Sequence, residues 1–481
     1  MSELAFWKND VFPVKMHKVR VIQKLHLPSV QSRLEALRAA GNNSFLLKNK
    51  DVFLDMLTDS GVNAMSDRQV AAMMVADDSY AGSASFERFE AVNWKLFKKE
   101  YVLPVHQGRA AENILARAFV RQGQIVPMNY HFTTTRAHIQ ASGGTVREFF
   151  LPEAVCPQSD IPFKGNMDTK ALADFLQKEQ GRIPFVRVEA GTNLIGGQPW
   201  SLANLQVVAA LCREHGIPLV LDASLLADNL YFIKVREAAC QNMEIHEIAE
   251  KIAGCCDIIY YSARKLGCAR GGAILTSNKA LFKAMQPLIP LFEGFLTYGG
   301  MSVREIEAAS VGLEETMDFD MVRHGPEFIA FMANELSAYG VPVVLPAGGL
   351  GCHLNAREFV AHVPQTEFPA AALGAALYLA SGVRGMERGS LSEERNADGS
   401  EHLADMELLR LALPRRVFTL SQVKFTVNRI LWLYENRELI GGMEWEEEPE
   451  VLRFFFGRLR PKGNWQQRLV DKFVQDFGDR R

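Results

Sequence analysis

From roughly residue 60 to 325, short apolar runs alternate with amphipathic helical patterns. The runs FVRVEA, PLVLDAS and DIIYYSA carry apolar residues on both faces, which suits parallel strands buried inside a sheet. Between them, SLANLQVVAALCREHG and IHEIAEKIAGC read as helices, so the segment predicts a parallel sheet covered by helices on both sides. Upstream, Ser29 is placed to cap a helix through PSVQSRLEALRAAG that Gly41 ends. Around residue 320 the order changes to a long helix, HGPEFIAFMANELSAYG, then PVVLP, then alternation near Leu354. SLSEERNADGSEH has no apolar periodicity and reads as a loop. In ELLRLALPR, Leu409, Leu411 and Leu413 alternate to one face and leave Arg410 on the other. The last stretch sets Trp465, Leu469, Val470, Phe473, Val474 and Phe477 at helical spacing, an amphipathic helix for packing on the body or on a partner subunit. The expected organisation is an N-terminal arm and part of a small domain over residues 1–60, a large α/β domain over 61–325, and a smaller α+β domain over 326–481 that ends in an extra helix.

Composition narrows the class. The chain is 48% hydrophobic over 481 residues, enough for a sizeable core. Its 53 basic and 56 acidic side chains balance to a net charge of -3, which argues against a nucleic-acid or anionic-membrane binder. MSELAFWKNDVF has no basic stretch before an apolar core, so no secretory signal is readable, and no long apolar run suggests a membrane span. The seven cysteines are scattered without a C-x-x-C pair, as expected for reduced thiols in a cytoplasm. The usual signatures of nucleotide hydrolysis, zinc proteolysis and α/β-hydrolase chemistry are missing. AGGLGCH lacks a dinucleotide fingerprint, and His246 with Glu247 reads as a helix start.

What remains is a constellation at strand ends. PLVLDAS ends a strand with Asp222, and DIIYYSARK ends another with Ser262 and Lys265. Ligands of open parallel sheets bind at the carboxyl ends of strands. There a lysine can form a Schiff base with pyridoxal phosphate, and an aspartate can keep the pyridine nitrogen protonated. Spacing alone leaves Lys265 open to being a solvated charge. LPVHQGRAAENILARAF reads as a strand, a glycine turn and a helix, whose first N–H groups at Gly108 and Arg109 would face a phosphate, or as an ordinary connection. Asn193 follows a strand end and can donate to a cofactor oxygen, and Arg410 can pair with a carboxylate.

The strings LTDSGVNAMSD, DSYAGS, VHQGRAAEN, HFTTTRAH, GGQP, NLYFIKVREA, EGFLTYGG, GVRGMERG, RLALPRR and LRFF occur in the order seen in the β-eliminating lyases. From about Phe45 to about Arg458 the chain resembles that family, with its tyrosine phenol-lyase and tryptophan indole-lyase branches. The resemblance implies an aspartate-aminotransferase-like, fold type I pyridoxal 5'-phosphate enzyme, acting on a small amino acid and assembled as a dimer of dimers, with potassium as activator. It matches Lys265 to the Schiff-base lysine and Asp222 to the pyridinium partner. Gln107, Gly108, Arg109 and Ser262 match the phosphate cradle, and Phe132 the aromatic stacked on the ring. Asn193, Thr58 and Arg410 match residues around the substrate carboxylate or a cofactor oxygen. Tyr80 matches the acid that protonates the leaving group, and Tyr298 a tyrosine that reaches the active site across the dimer. Gly61 and Asp78 fall at the monovalent-cation site, where the family usually has glutamate. Arg388 in MERG and Phe454 in LRFF match the phenol-lyase branch, and Arg388 with Thr133 is expected to bind a phenolic oxygen.

The departures lie close to the cofactor. The family has an arginine three residues after the strand-end aspartate, where this chain has Leu225. It also has Lys-Lys-Asp in place of Arg264-Lys265-Leu266. The expected reaction is β-elimination of a tyrosine-like L-amino acid to pyruvate, ammonia and a phenol-type leaving group. The rivals are another pyridoxal-phosphate reaction on the same scaffold (β-substitution, transamination or a tailoring step) and a catalytically silent homologue.

Overall fold

The computed structural model describes residues 12–396 and 398–478. The opening MSELAFWKNDV, the start of the expected N-terminal arm, and the final three residues lie outside the described residues. The chain divides into two units. Among the described residues, the first includes Asp59–Ala154 and Ile161–Pro326; the second includes those from Phe12 to Thr58, Val155–Asp160 and those from Glu327 on.

In the first unit, seven strands form one sheet: β1 (Tyr101–Val105), β2 (Ile125–Met128), β3 (Thr145–Glu148), β4 (Val186–Glu189), β5 (Leu219–Asp222), β6 (Ile258–Ser262) and β7 (Gly272–Thr276). Their order is β1-β7-β6-β5-β4-β2-β3, and only the β7 pairings are antiparallel. Strands β4, β5 and β6 are buried along their whole length, as their double-faced apolar pattern predicts. Alternate residues feed two cores. Leu219, Leu221 and Ile259 join one, while Val220, Ile258 and Tyr260 join the other, against helix α1 (Gly108–Phe119). Helices α2 (Thr133–Ala141), α3 (Leu202–Glu214), α4 (Leu226–Arg236) and α5 (Ile245–Cys255) complete the α/β alternation around the sheet. Glu247 and Glu244 form a capping box at the start of α5, the structural role read for that helix start.

The long helix α6 (Phe319–Ala338) begins earlier than its sequence pattern and carries Pro326 inside it. In the second unit, β8 (Gly351–Asn355), β9 (Met386–Arg388) and β10 (Leu408–Ala412) form an antiparallel sheet in the order β9-β10-β8. Its core is shared with α7 (Pro369–Ser381), α8 (Leu420–Glu435) and α9 (Trp465–Phe477). Ser29 caps the helix Val30–Ala39 through the Ser32 N–H, and that helix packs against α9. Trp465, Leu469, Val470 and Phe473 of α9 are buried in this unit's core, whereas Val474 faces solvent. Among the described residues no helix is long and apolar enough to cross a membrane.

Candidate active site

Parallel strands β4, β5 and β6 end side by side, and their register puts Glu189 beside Asp222 and Asp222 beside Tyr260. Lys265 lies in the turn after β6, where its N–H donates to the Ser262 carbonyl (3.1 Å). Its amine is 3.8 Å from Asp59 Oδ1 and 5.9 Å from the centre of the Phe132 ring. Asp59 is buried, and its Oδ1 has no hydrogen-bond partner among the described residues, so the nearby lysine amine is the charge that balances it. Asp222 is held at three points. Its Oδ1 accepts the Ser224 N–H (3.0 Å), and its Oδ2 accepts Arg187 Nη2 (2.6 Å) and the Tyr260 hydroxyl (3.0 Å).

Three features suit a bound pyridoxal phosphate. Gln107 sits in extended backbone before α1, and its side chain makes no cap over the start of that helix, the end that favours an anion. A Cβ at Gly108 would stand 3.0 Å from Ser262 Cβ and 3.3 Å from Ser224 Oγ, so a glycine keeps this turn against the two serines. Thr133, the first residue of α2 after Phe132, buries a hydroxyl that has no hydrogen-bond partner among the described residues. A donor of that kind, next to the Phe132 ring and a lysine amine, fits a polar aromatic ligand. The residues present could hold the cofactor, with Gln107, Gly108, Arg109 and Ser262 toward its phosphate, Phe132 toward its ring face, Asp222 toward its ring nitrogen and Lys265 toward its aldehyde.

Around this core, Asn193 opens a short 3₁₀ turn and donates its N–H to Glu189 Oε1 (3.3 Å). Burial pushes Glu189 up to about 7 against the pull of Arg187 and Lys265. Tyr80 is exposed and stacks on Phe295 at 5.0 Å, with Tyr298 at 5.5 Å. Its hydrogen bond with Tyr298 holds its hydroxyl pKa above the ordinary tyrosine value. Gly61 takes a positive φ of 76° with the Arg264 guanidinium packed against it, and Asp78 pairs with Arg304 at 3.8 Å.

In the second unit, Arg410 is buried in β10 and donates to the Leu57 carbonyl (3.0 Å) and Met386 Sδ (2.8 Å). The strand is buried on both faces, so Arg410 stands in an enclosed setting instead of on an open face. Arg388, also buried, lies over the Phe454 ring at 5.7 Å, and Phe45 meets that ring edge-on at 5.6 Å. Thr58 directly follows Leu57 at the end of this unit's N-terminal segment.

Sequence reasoning did not single out Asp59, Arg187, Glu189, Tyr260 or Ser224. Asp59 was within sight, in LTDSG. Arg187 and Glu189 sit in FVRVEA, a run read for its apolar residues alone.

The seven-stranded sheet, with a lysine and an aspartate at adjacent strand ends, is that of a fold type I pyridoxal-phosphate enzyme. A threonine aldolase from Leishmania major superimposes with a TM-score of 0.55 at 17% identity, covering 79% of this chain and 99% of that one. A serine palmitoyltransferase from S. paucimobilis with bound PLP does so at 0.55 and 12%, covering 81% and 89%. Residues 55–428 match the beta-eliminating lyase family. The chain is 41% identical over 458 residues to a tyrosine phenol-lyase from Lacrimispora saccharolytica, covering 94% of this chain and 97% of that protein. It is 38% identical over 454 residues to one from Pasteurella multocida, covering 94% and 99%. The chain belongs to the β-eliminating lyase family.

Proposed function

We propose that the protein is a pyridoxal-phosphate-dependent carbon–carbon lyase that releases pyruvate, ammonia and a phenol-type group from a tyrosine-like L-amino acid. The observation that carries this reading is the pairing of Lys265 and Asp222 at adjacent strand ends, beside the Phe132 ring, in a chain so similar to tyrosine phenol-lyases. When bound, the cofactor supplies an electron sink for the charge left on the substrate's α-carbon.

The chain's own residues then divide the work. Lys265 would hold the cofactor's aldehyde, and its free amine is the base for the substrate's α-proton. Asp59 supplies the negative charge that orients its amine. Asp222 would accept from the cofactor's ring nitrogen, and the α1 start with Ser262 would hold its phosphate. Arg410 takes the substrate carboxylate as a fork, with Thr58 and Asn193 beside it in role. Tyr80, protonated at neutral pH as any tyrosine is, serves as the acid for the leaving group. Arg388 and Thr133 hold the phenolic oxygen, and Phe454 packs on the ring. The same reading carries a homotetrameric assembly, a cytoplasmic location and, at Gly61 and Asp78, a monovalent cation held only weakly, because Arg264 packs on the first and Arg304 pairs with the second.

A second reading, β-substitution or transamination on the same scaffold, is favoured by Leu225 and Leu266. Both are buried, and they put no charge where the resemblance expects an arginine and an aspartate. Incubation with L-tyrosine, pyridoxal phosphate and potassium separates the two. Elimination releases phenol and pyruvate in equal amounts, lost in Lys265→Ala. A retained side chain in the keto acid, or a β-substituted product, points to the second reading.

A further inference from the structure

We propose that Arg187 and Glu189 are positioning residues that act through Asp222, together setting the charge met by the cofactor's ring nitrogen. This inference rests on the reading above that Asp222 faces that nitrogen.

The strand register builds the cluster. Glu189, Asp222 and Tyr260 are neighbours on three adjacent parallel strands. Arg187 lies two residues before Glu189, hence on the same face of β4. From there its guanidinium reaches Asp222 Oδ2 at 2.6 Å, the Tyr260 hydroxyl at 2.9 Å and Glu189 Oε2 at 3.5 Å. All four side chains are buried. A carboxylate offers about four acceptor positions. Arg187 and Tyr260 fill both on Oδ2, and the Ser224 N–H fills one on Oδ1. One position, on Oδ1, is left for the ring nitrogen. Arg187 therefore dictates which oxygen of Asp222 meets the ring and at what angle.

Charge follows from the same geometry. Arg187 and Asp222 cancel, so Glu189 decides whether the cluster is neutral or carries one negative charge. A protonated ring nitrogen is favoured by the second state. The other groups facing the cluster are Lys265 in the turn after β6, Tyr260 on β6 and Glu112 on α1. Glu112 accepts from Thr134 and Thr135 of α2 (2.6 Å each), and burial raises its pKa. Tyr260 is likewise raised by burial above the ordinary tyrosine value, so its hydroxyl stays protonated near neutrality. Glu189, held up to about 7, is the group poised to change state.

The test loads the full-length protein with ¹⁵N-labelled pyridoxal phosphate and follows the ring-nitrogen signal from acid to alkaline pH. Borohydride reduction in parallel reports whether the cofactor is on Lys265. In the wild type the signal steps through neutrality as Glu189 ionises. Glu189→Gln removes the step and lowers the pH at which the ring proton is lost by about one unit. Arg187→Lys, which keeps the charge, retains the step, and Arg187→Gln displaces it. A wild type without the step, or a step that survives Glu189→Gln, overturns the inference while leaving the cofactor reading intact. No cofactor on Lys265 overturns both.

Discussion

Each unit buries a pair of acids, and the two pairs are stabilised in opposite ways. In the first, Asp222 and Glu189 share the Arg187 guanidinium, so a cation sits between the carboxyl groups. In the second, Glu387 of β9 and Glu407 lie together among neutral donors. Ser392 and the Gly389 N–H donate to Glu387 (2.8 and 2.6 Å), while the Ser390 hydroxyl and N–H and the Gln365 amide donate to Glu407. Burial, then Glu407's proximity, pushes Glu387 up to about 8, and burial raises Glu407 as well. A guanidinium in direct contact opposes the rise that burial imposes on a carboxyl pKa, whereas hydroxyls and amides, with Arg388 only as a nearby charge, leave a close pair to hold a proton. The first arrangement suits a group that must face a cationic ring nitrogen. The second suits a brace: both acids hold the turn Gly389–Ser392, immediately after Arg388.

The sharpest way to break this comparison is Asp222→Ala. It leaves Arg187 with the neutral Tyr260 hydroxyl and its more distant carboxyl partner, Glu189, and such a loss in a buried ion pair costs about 3–5 kcal/mol. Urea unfolding of the apoprotein should show that drop, together with loss of lyase activity by about 10²-fold or more. Glu387→Gln removes a group that is already protonated at neutral pH, so it should cost about 1 kcal/mol there, the scale of one altered hydrogen bond. If the two variants are equally destabilised, the contrast fails.

The pH dependence sharpens it further. Glu387's folded pKa, about 8, lies above the ordinary 4.5, so folding takes up a proton. Its stabilising contribution is complete below 4.5 and is lost as pH rises through about 8. Wild-type stability relative to Glu387→Gln should therefore fall across that window. A difference that grows with pH instead would reverse the assignment.

Smaller effects are expected at the cradle and at the cation site. Gly108→Ala forces Ser262 to shift by a few tenths of an ångström, and the cofactor's dissociation constant should rise about 10-fold, a cost of about 1.4 kcal/mol. Exchanging potassium for a bulky organic cation should change activity least, because Arg264 packs on Gly61 and Arg304 pairs with Asp78. A large loss on exchange would show that these arginines do not oppose ion binding.

The fold was legible where one local pattern decides it. Strands β4, β5 and β6 announce themselves by apolar residues on both faces, and the helices between them by their spacing. The family-borne positions were legible through the ordered strings, Lys265 and Asp222 foremost. Arg187 and Glu189 were not, because the reason for a charge in a buried strand is a partner that periodicity never sees. Arg187's partner Asp222 lies 35 residues on, and the two meet only when β4 and β5 pair. Arg410 shows the same limit. Alternation placed it opposite Leu409 and Leu411, but only the sheet and the segment ending at Leu57 reveal that this face is closed as well. Glu387 was hidden in a different way, between a methionine and an arginine that drew attention to themselves.

The most direct test of the account is where the cofactor attaches. The loaded protein is reduced with borohydride, digested, and the pyridoxyl group located by mass spectrometry. The account predicts one modified peptide with the group on Lys265, missing from Lys265→Ala. A pyridoxyl group on another lysine, with Lys265 unmodified, would contradict it.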